Sequence, residues 1–252
     1  MKPPRLSIII PAYQEASRIE HTLDELAAYL KQHGHHDTDV LVVVATSPDG
    51  TARLAEAKAG LFEQFRVVPA GPKVGKGRDV RTGMMEATGE YKLFMDADLA
   101  TPLHHIEEVR SYMDKGADVI IAVRNLGSSH TGFRRLVSAG GNLLNRIFLR
   151  SNVKDSQCGF KAFSKEAAEE LFRRQTILGW GFDMEILSIA TQLQYEIVTI
   201  AAPDWADQPD GTIERGFIGA AFATLAELFL IWWRRTSGRY RHKTYSYKPY
   251  QP

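Results

Sequence analysis

Short aliphatic runs alternate along this chain with stretches in which apolar residues return every three or four positions. The first run, Leu6-Ser7-Ile8-Ile9-Ile10, is rich in β-branched side chains and stops at Pro11. Behind it Ile19, Leu23, Leu26, Ala27 and Leu30 keep helical spacing after Ser17 and Glu20, which are placed as a capping box. This pattern predicts strand, loop and helix. The alternation continues with a run at 40–44, a helix ending near Gly60, a run at 65–68, a helix over 78–87, a run at 91–95, a helix over 106–113 and a run at 119–123. Strands this apolar, separated by helices, predict an α/β fold with a mostly parallel sheet and helices on both faces. Ligands in such sheets bind beyond the carboxyl ends of the strands, which directs attention to the loops after residues 10, 44, 69, 95 and 123.

The second half is less regular. A helix is expected over 134–149, a turn at Asp155-Ser156-Gln157-Cys158-Gly159-Phe160, helices near 165–175 and 183–194, and a strand over 196–201. Residues 216–233 form an almost unbroken apolar stretch interrupted only by Glu227, marginal in length for crossing a bilayer and expected not to span one. Arg234, Arg235, Arg239, Arg241, Lys243 and Lys248 follow with no acidic residue, among Trp232, Trp233, Tyr240, Tyr245, Tyr247 and Tyr250. Basic groups mixed with interfacial aromatics beside an apolar helix suit a segment lying on an anionic membrane surface. The same pattern also suits a helix packed on the sheet with a solvated tail. The expected organisation is an α/β domain over 1–212 and an appended segment over 213–252.

Composition narrows the function classes. Of 252 residues 44% are hydrophobic and 24% charged, which excludes a disordered chain. A formal net charge of +1 argues against a general nucleic-acid binder. Cys158 is the only cysteine, so neither an internal disulfide nor a cysteine-rich zinc site is available. Met1-Lys2-Pro3-Pro4-Arg5 runs straight into the first strand and does not read as a signal peptide. A reducing, cytosolic compartment is the expectation.

The clearest chemistry lies at Phe94-Met95-Asp96-Ala97-Asp98, where two carboxylates stand two apart just as a buried strand runs out. Charge buried there needs compensation, and hard oxygen ligands suit Mg²⁺ or Mn²⁺, which bind substrate phosphates beside one or two carboxylates. Such a cation neutralises charge building on a departing diphosphate; an Asp pair of this kind also serves a turn that caps the next helix. Gly75-Lys76-Gly77 offers backbone amides and an ammonium group to phosphates, or is a plain surface loop. It is not a Walker A loop, since Ala70 replaces the first glycine and Gly77 stands where Ser or Thr belongs. Arg124, Arg134 and Arg135 are further candidates for phosphate contacts. His35-His36 and His104-His105 are adjacent pairs, which a helix would not aim at one ion, and no His-x-x-x-His occurs. Cys158 lacks a nucleophile signature, and the absence of Gly-x-Ser-x-Gly removes a common hydrolase reading.

Five motifs in order carry a family resemblance. Ile10-Pro11-Ala12-Tyr13-Gln14-Glu15, Gly75-Lys76-Gly77 with Val80-Arg81-Thr82-Gly83-Met84, Gly89-Glu90-Tyr91, Asp96-Ala97-Asp98-Leu99-Ala100-Thr101-Pro102, and Asp155-Ser156-Gln157-Cys158-Gly159-Phe160-Lys161 resemble glycosyltransferase family 2. They resemble most its dolichyl-phosphate β-glucosyltransferase and dolichol-phosphate mannosyltransferase branch. The resemblance implies a GT-A fold in which Pro11, Tyr13 and Glu15 line the nucleotide pocket and Lys76 approaches the donor phosphates. It implies that Asp96 and Asp98, with Ala97 between them, hold metal and diphosphate, and that Arg124, Arg134 and Ser138 approach donor or acceptor phosphates. Two departures stand out. The family's acidic motif after the second strand is replaced by Ala45-Thr46-Ser47-Pro48-Asp49-Gly50, which leaves Thr46 or Asp49 to contact the nucleoside. Ala100 stands where mannosyl-transferring relatives often carry Gln, which leans toward the glucosyl branch.

The resemblance implies inverting, metal-dependent transfer of a hexose from a UDP- or GDP-sugar to a polyprenyl phosphate, and the apolar helix with its basic tail points to an enzyme held at the cytoplasmic membrane face through 214–252. A phosphate acceptor is already anionic and requires no base. A saccharide or other hydroxyl acceptor requires one, for which Asp183 in Gly181-Phe182-Asp183-Met184-Glu185 is the candidate; a carboxylate favoured by a helix N-terminus accounts for the same residue. A non-catalytic nucleotide-sugar-binding relative is a third reading. A dinucleotide-binding dehydrogenase is poorly supported, since no Gly-x-Gly-x-x-Gly follows the first strand.

Overall fold

The computed structural model describes residues 4–124, 156–206, 217–242 and 244–250. In chain order these form β1 (Leu6–Ala12), α1 (Ile19–Gln32), β2 (Thr38–Ala45), α2 (Thr51–Ala57), β3 (Phe65–Gly71), α3 (Lys76–Glu86), β4 (Tyr91–Met95), α4 (His105–Asp114) and β5 (Val119–Arg124). Beyond 155 come β6 (Phe160–Ser164), α5 (Lys165–Arg174), α6 (Phe182–Gln192), β7 (Ile197–Ala202), α7 (Phe217–Thr236) and the short α8 (Arg239–His242). The helix expected over 134–149, with Arg134, Arg135 and Ser138, lies outside the described residues.

Seven strands make one sheet in the order β3-β2-β1-β4-β6-β5-β7. Every pairing is parallel except those of β6, which runs antiparallel between β4 and β5. β6 is the strand the sequence pattern did not predict. It is short, it begins where a turn was expected, and a lysine sits at its second position, yet all five of its residues are buried. Burial on both faces explains the unbroken apolar runs: in β2 all eight residues are buried, including Thr38 and Asp39.

The register places a fork at the carboxyl end of the sheet. β1 pairs with β2 from Leu6↔Thr38 as far as Ala12↔Val44, but with β4 only from Leu6↔Tyr91 to Ile9↔Phe94. Pro11, which has no N–H to donate, falls in the stretch where β1 has only β2 beside it, so the strand continues through it. β1 leads across to β2 on one side and β4 lies on the other, so the chain reverses its direction of travel between them, where α/β sheets hold their ligands. Close helix packing supports this frame. A methyl group added at Gly83 of α3 would stand 2.3 Å from Ile9 and 2.8 Å from Val43, so only glycine lets α3 lie this close to β1 and β2.

The capping box at Ser17 and Glu20 does not form. Arg18 occupies the N-cap position of α1 without a side-chain cap, and the amides of Arg18 and Ile19 donate to the Glu15 carbonyl instead. A true cap appears at Ser164, whose Oγ accepts from the Ala167 amide at 3.2 Å as α5 begins.

Candidate active site

Two loops meet at the fork. After β1, Gln14 takes a left-handed backbone conformation with φ 58°, and after β4 Leu99 does the same with φ 54°. Neither is glycine, so each costs about 1–2 kcal/mol that the surrounding contacts must offset. Those contacts are visible. The Thr22 hydroxyl of α1 donates to the Ala97 carbonyl, and Asp98 Oδ1 accepts from the Ala100 amide at 3.0 Å. On the other loop the Glu15 amide donates to Thr51 Oγ1 and the Ala16 amide to Asp49 Oδ2, both at 3.0 Å.

Glu15, Asp96 and Asp98 lie near enough to feel one another's charge. Burial pushes the Glu15 carboxyl above the ordinary value; Arg18 opposes this, and the charges of Asp98, Asp96 and Asp49 add to it. Arg18 Nε is 2.9 Å from Glu15 Oε2, in an ion pair without hydrogen-bond alignment. Asp98 is raised in the same way, by burial first, with the Ala100 amide opposing and Asp96 reinforcing. Lys76, at the start of α3, reaches Asp96 Oδ1 at 2.6 Å. Burial works against its ammonium, but Asp96, Asp183 and Asp98 outweigh this and hold its pKa above the ordinary lysine value. A divalent cation fits this cluster: the donors are hard oxygens, and repulsion among partly buried carboxylates is what a cation relieves.

The glycines around Lys76 serve packing. A Cβ at Gly75 would sit 2.4 Å from the Leu178 carbonyl oxygen, and one at Gly77 would sit 2.6 Å from Phe182 Cβ. The 178–182 segment is thereby pressed onto the amino end of α3, and the Arg78 amide donates to Leu178 O at 3.1 Å. This brings Trp180, 68% exposed, to within 5.3 Å of Lys76 Nζ. Gly159 is equally constrained: its added Cβ would fall 2.0 Å from Asp96 Oδ2, while its carbonyl accepts from the Asp96 amide at 3.0 Å.

Of the other predicted residues, Tyr13 lies under Lys73, whose Nζ is 4.0 Å from the ring centroid. Thr46 is exposed and its amide donates to Gly71 O. Asp49 links loops: it accepts from Ser47, Ala16 and Thr51. Those hydrogen bonds outweigh a burial effect in the opposite direction and draw its pKa down to about 2. Arg124, at the end of β5, lies 5.2 Å from the Trp205 ring. Asp183, in the first turn of α6, is buried against Lys161, whose ammonium also donates to the Cys158 carbonyl. Burial raises the Asp183 carboxyl, with Lys161 and Lys76 opposing. Cys158 is buried and its thiol donates to Phe160 O.

Sequence reasoning gave no role of their own to Gly159 and Lys161, although both stand in the last family motif, and it missed Trp180. Lys161 was hidden by the unrecognised β6, and the Gly-Trp-Gly run at 179–181 was the only signal for Trp180. It also misjudged one histidine pair. His35 and His36 do turn to different partners, Glu107 and Glu63. His104, however, precedes the first turn of α4, and both it and His105 reach the Asp204 carboxylate, at 3.2 and 2.9 Å.

The family model "Glycosyl transferase family 2" matches residues 7–172, which contain the fork, Lys76, Asp96, Asp98 and β6. The chain belongs to glycosyl transferase family 2. The dolichyl-phosphate beta-glucosyltransferase of Drosophila melanogaster is 31% identical over 94% of this chain and 77% of its own length. Dolichyl-phosphate beta-glucosyltransferase ALG5C of Trichomonas vaginalis is 32% identical over 82% of this chain, which spans 66% of that relative. Among solved structures, glucosyl-3-phosphoglycerate synthase from Mycobacterium tuberculosis, in complex with Mn²⁺, UDP and phosphoglyceric acid, superposes with a TM-score of 0.63. It is 17% identical over 92% of this chain and 78% of its own. That likeness shows the GT-A fold of this family 2 chain.

Proposed function

We propose that this family 2 protein transfers a hexose, with inversion, from a UDP- or GDP-sugar to a polyprenyl phosphate of the dolichyl type. The observation that carries the reading is the Asp96-Ala97-Asp98 loop at the β1–β4 fork, set against Lys76, in a chain about 30% identical to dolichyl-phosphate beta-glucosyltransferases. Asp96 and Asp98 hold Mg²⁺ or Mn²⁺, which supplies Lewis-acid stabilisation of the departing diphosphate. Lys76 adds a fixed positive charge beside the same phosphates, and its partial burial strengthens that charge. Pro11, Tyr13 and Glu15 line the nucleotide pocket, with Thr46 and the loop fastened by Asp49 on its nucleoside side. Arg124 holds acceptor or donor phosphate, as do Arg134 and Ser138 outside the described residues.

The state of Asp183 favours the phosphate acceptor over a hydroxyl. A general base must reach the proton it removes, whereas Asp183 is 3% exposed and paired with Lys161. A phosphate acceptor dispenses with that base and needs only to be held in line.

The C-terminal segment supports action at a membrane surface. Among the described residues no helix is long and apolar enough to cross a membrane. On α7, Leu228 and Ile231 face inward while Leu225, Phe229, Trp232 and Trp233 are exposed at 45%, 59%, 38% and 45%. Their spacing makes one apolar stripe, suited to lying in a lipid headgroup layer with exposed Arg241 and Lys248 nearby in sequence. In this reading 1–212 is the catalytic domain, 213–252 docks it, and the enzyme is peripheral at the cytoplasmic face.

The test is product analysis. Labelled glucose from UDP-glucose should enter an acid-labile lipid phosphodiester when polyprenyl phosphate is supplied with Mn²⁺, and fail to do so with excess chelator. Label appearing instead on a saccharide acceptor or on free polyprenol would refute the phosphate acceptor.

A further inference from the structure

A second cluster stands apart from the residues assigned above. His104, immediately before α4, and His105, its first residue, converge with Asp204 from the loop after β7. The His104 Nε2 to Asp204 Oδ2 distance is 3.2 Å and the His105 Nε2 to Asp204 Oδ1 distance is 2.9 Å. One ligand atom from each lies within 4.8 Å of the others. Donors of a tetrahedral site with bonds of about 2.0–2.1 Å stand roughly 3.3–3.5 Å apart, so modest side-chain shifts bring these atoms around one ion.

We propose that His104, His105 and Asp204 form a site for a borderline transition-metal cation of the Zn²⁺ type, separate from the Asp96–Asp98 pair. Two imidazoles and one carboxylate select such an ion over Mg²⁺ or Mn²⁺, which prefer oxygen. The outer sphere is built as well. His105 is 2% exposed, and its Nδ1 is 3.1 Å from Glu108 Oε1, the arrangement in which a carboxylate fixes the ring and aims Nε2 at the ion. His104 and Asp204 are 57% and 41% exposed, which leaves the outward position to water.

Bound there, the ion clips the 203–206 loop to the start of α4. That loop carries Trp205, which lies against Arg124, and Ala206, whose amide donates to Ala100 O at 3.0 Å, two residues beyond Asp98. Occupancy therefore stiffens the wall beside the proposed catalytic loop without touching its carboxylates.

The test uses the full chain stripped of metal and titrated with Zn²⁺ against a chromophoric chelator. One tight equivalent should bind, weakened at least tenfold by His104→Ala or Asp204→Asn, unchanged by Asp98→Asn and not displaced by excess Mg²⁺. Co²⁺ in place of Zn²⁺ should give the absorption of a four-coordinate nitrogen–oxygen site, lost in the double variant His104→Ala/Asp204→Asn. Absence of a tight equivalent, or binding that survives that double variant, would overturn the site. His104 is exposed, so its variant should fold normally, which circular dichroism verifies.

Discussion

Single residues at the fork make separable predictions. Asp98 accepts from the Ala100 amide, a bond that asparagine keeps through its side-chain oxygen. Asp98→Asn should therefore keep the fold while lowering turnover on the order of a hundredfold or more; full activity of that variant in excess chelator would remove the metal role. Gly159→Ala is the opposite kind of change. Its Cβ would stand 2.0 Å from Asp96 Oδ2, so the carboxylate must move. We expect a loss of about 1–3 kcal/mol in denaturant titrations together with lost activity. Asp49 tests the loop-fastening account through pH. Its folded pKa is about 2 against an ordinary 3.8, so its contribution is complete above the higher value and disappears as pH falls through the lower. Asp49→Asn should therefore melt below wild type at pH 7, with the gap closing as pH approaches 2. The acidic pair was legible in the sequence as chemistry, because charge at the end of a buried strand is costly unless it has something to bind; Lys76 stood out through its flanking glycines, and Glu15 entered only through the family resemblance. Lys161 was not legible, because a buried lysine looks like a surface residue until its partner Asp183 is seen.

At the scale of elements, periodicity recovered the strands and helices of the first half to within a few residues. It failed at β6, where five residues with Lys161 second give neither clean alternation nor an aliphatic run. It failed also at the start of α1, where the Glu15 carbonyl took the role expected of Ser17. The C-terminal helix shows a division that composition alone hid. Arg235 Nη1 donates to Ser188 O at 3.0 Å, Arg234 lies 3.5 Å from Glu185, and Tyr240 donates to Glu185 at 2.8 Å. Much of the basic, aromatic segment is thus committed to α6. The exposed stripe remains for lipid, so Phe229→Ser with Trp233→Ser should reduce sedimentation with anionic liposomes severalfold while Arg241→Gln reduces it only slightly at low salt. Equal liposome binding by the stripe variant would contradict the docking surface.

For the whole molecule, the segment after α8 returns across the domain. The Tyr245 amide donates to Arg173 O at 2.7 Å, the Tyr247 hydroxyl to Glu86 at 3.0 Å, and the Tyr250 ring covers Gly71. Net hydrogen-bond contributions of about 1 kcal/mol each, plus aromatic burial, predict that removal of 244–252 lowers Tm by several degrees without altering the metal requirement. Calorimetry showing no change would mean that these contacts contribute nothing in solution. Such long-range returns, like the meeting of His104, His105 and Asp204, depend on tertiary closure and leave no local pattern to read. The central claim is glycosyl transfer to a lipid phosphate, and it is tested most directly by nucleoside diphosphate release. Purified protein with Mn²⁺ is given UDP- and GDP-sugars, each with and without a short polyprenyl phosphate. Release from one donor only when the lipid phosphate is present is the predicted result; release that ignores the lipid phosphate, or no release from any donor, would contradict it.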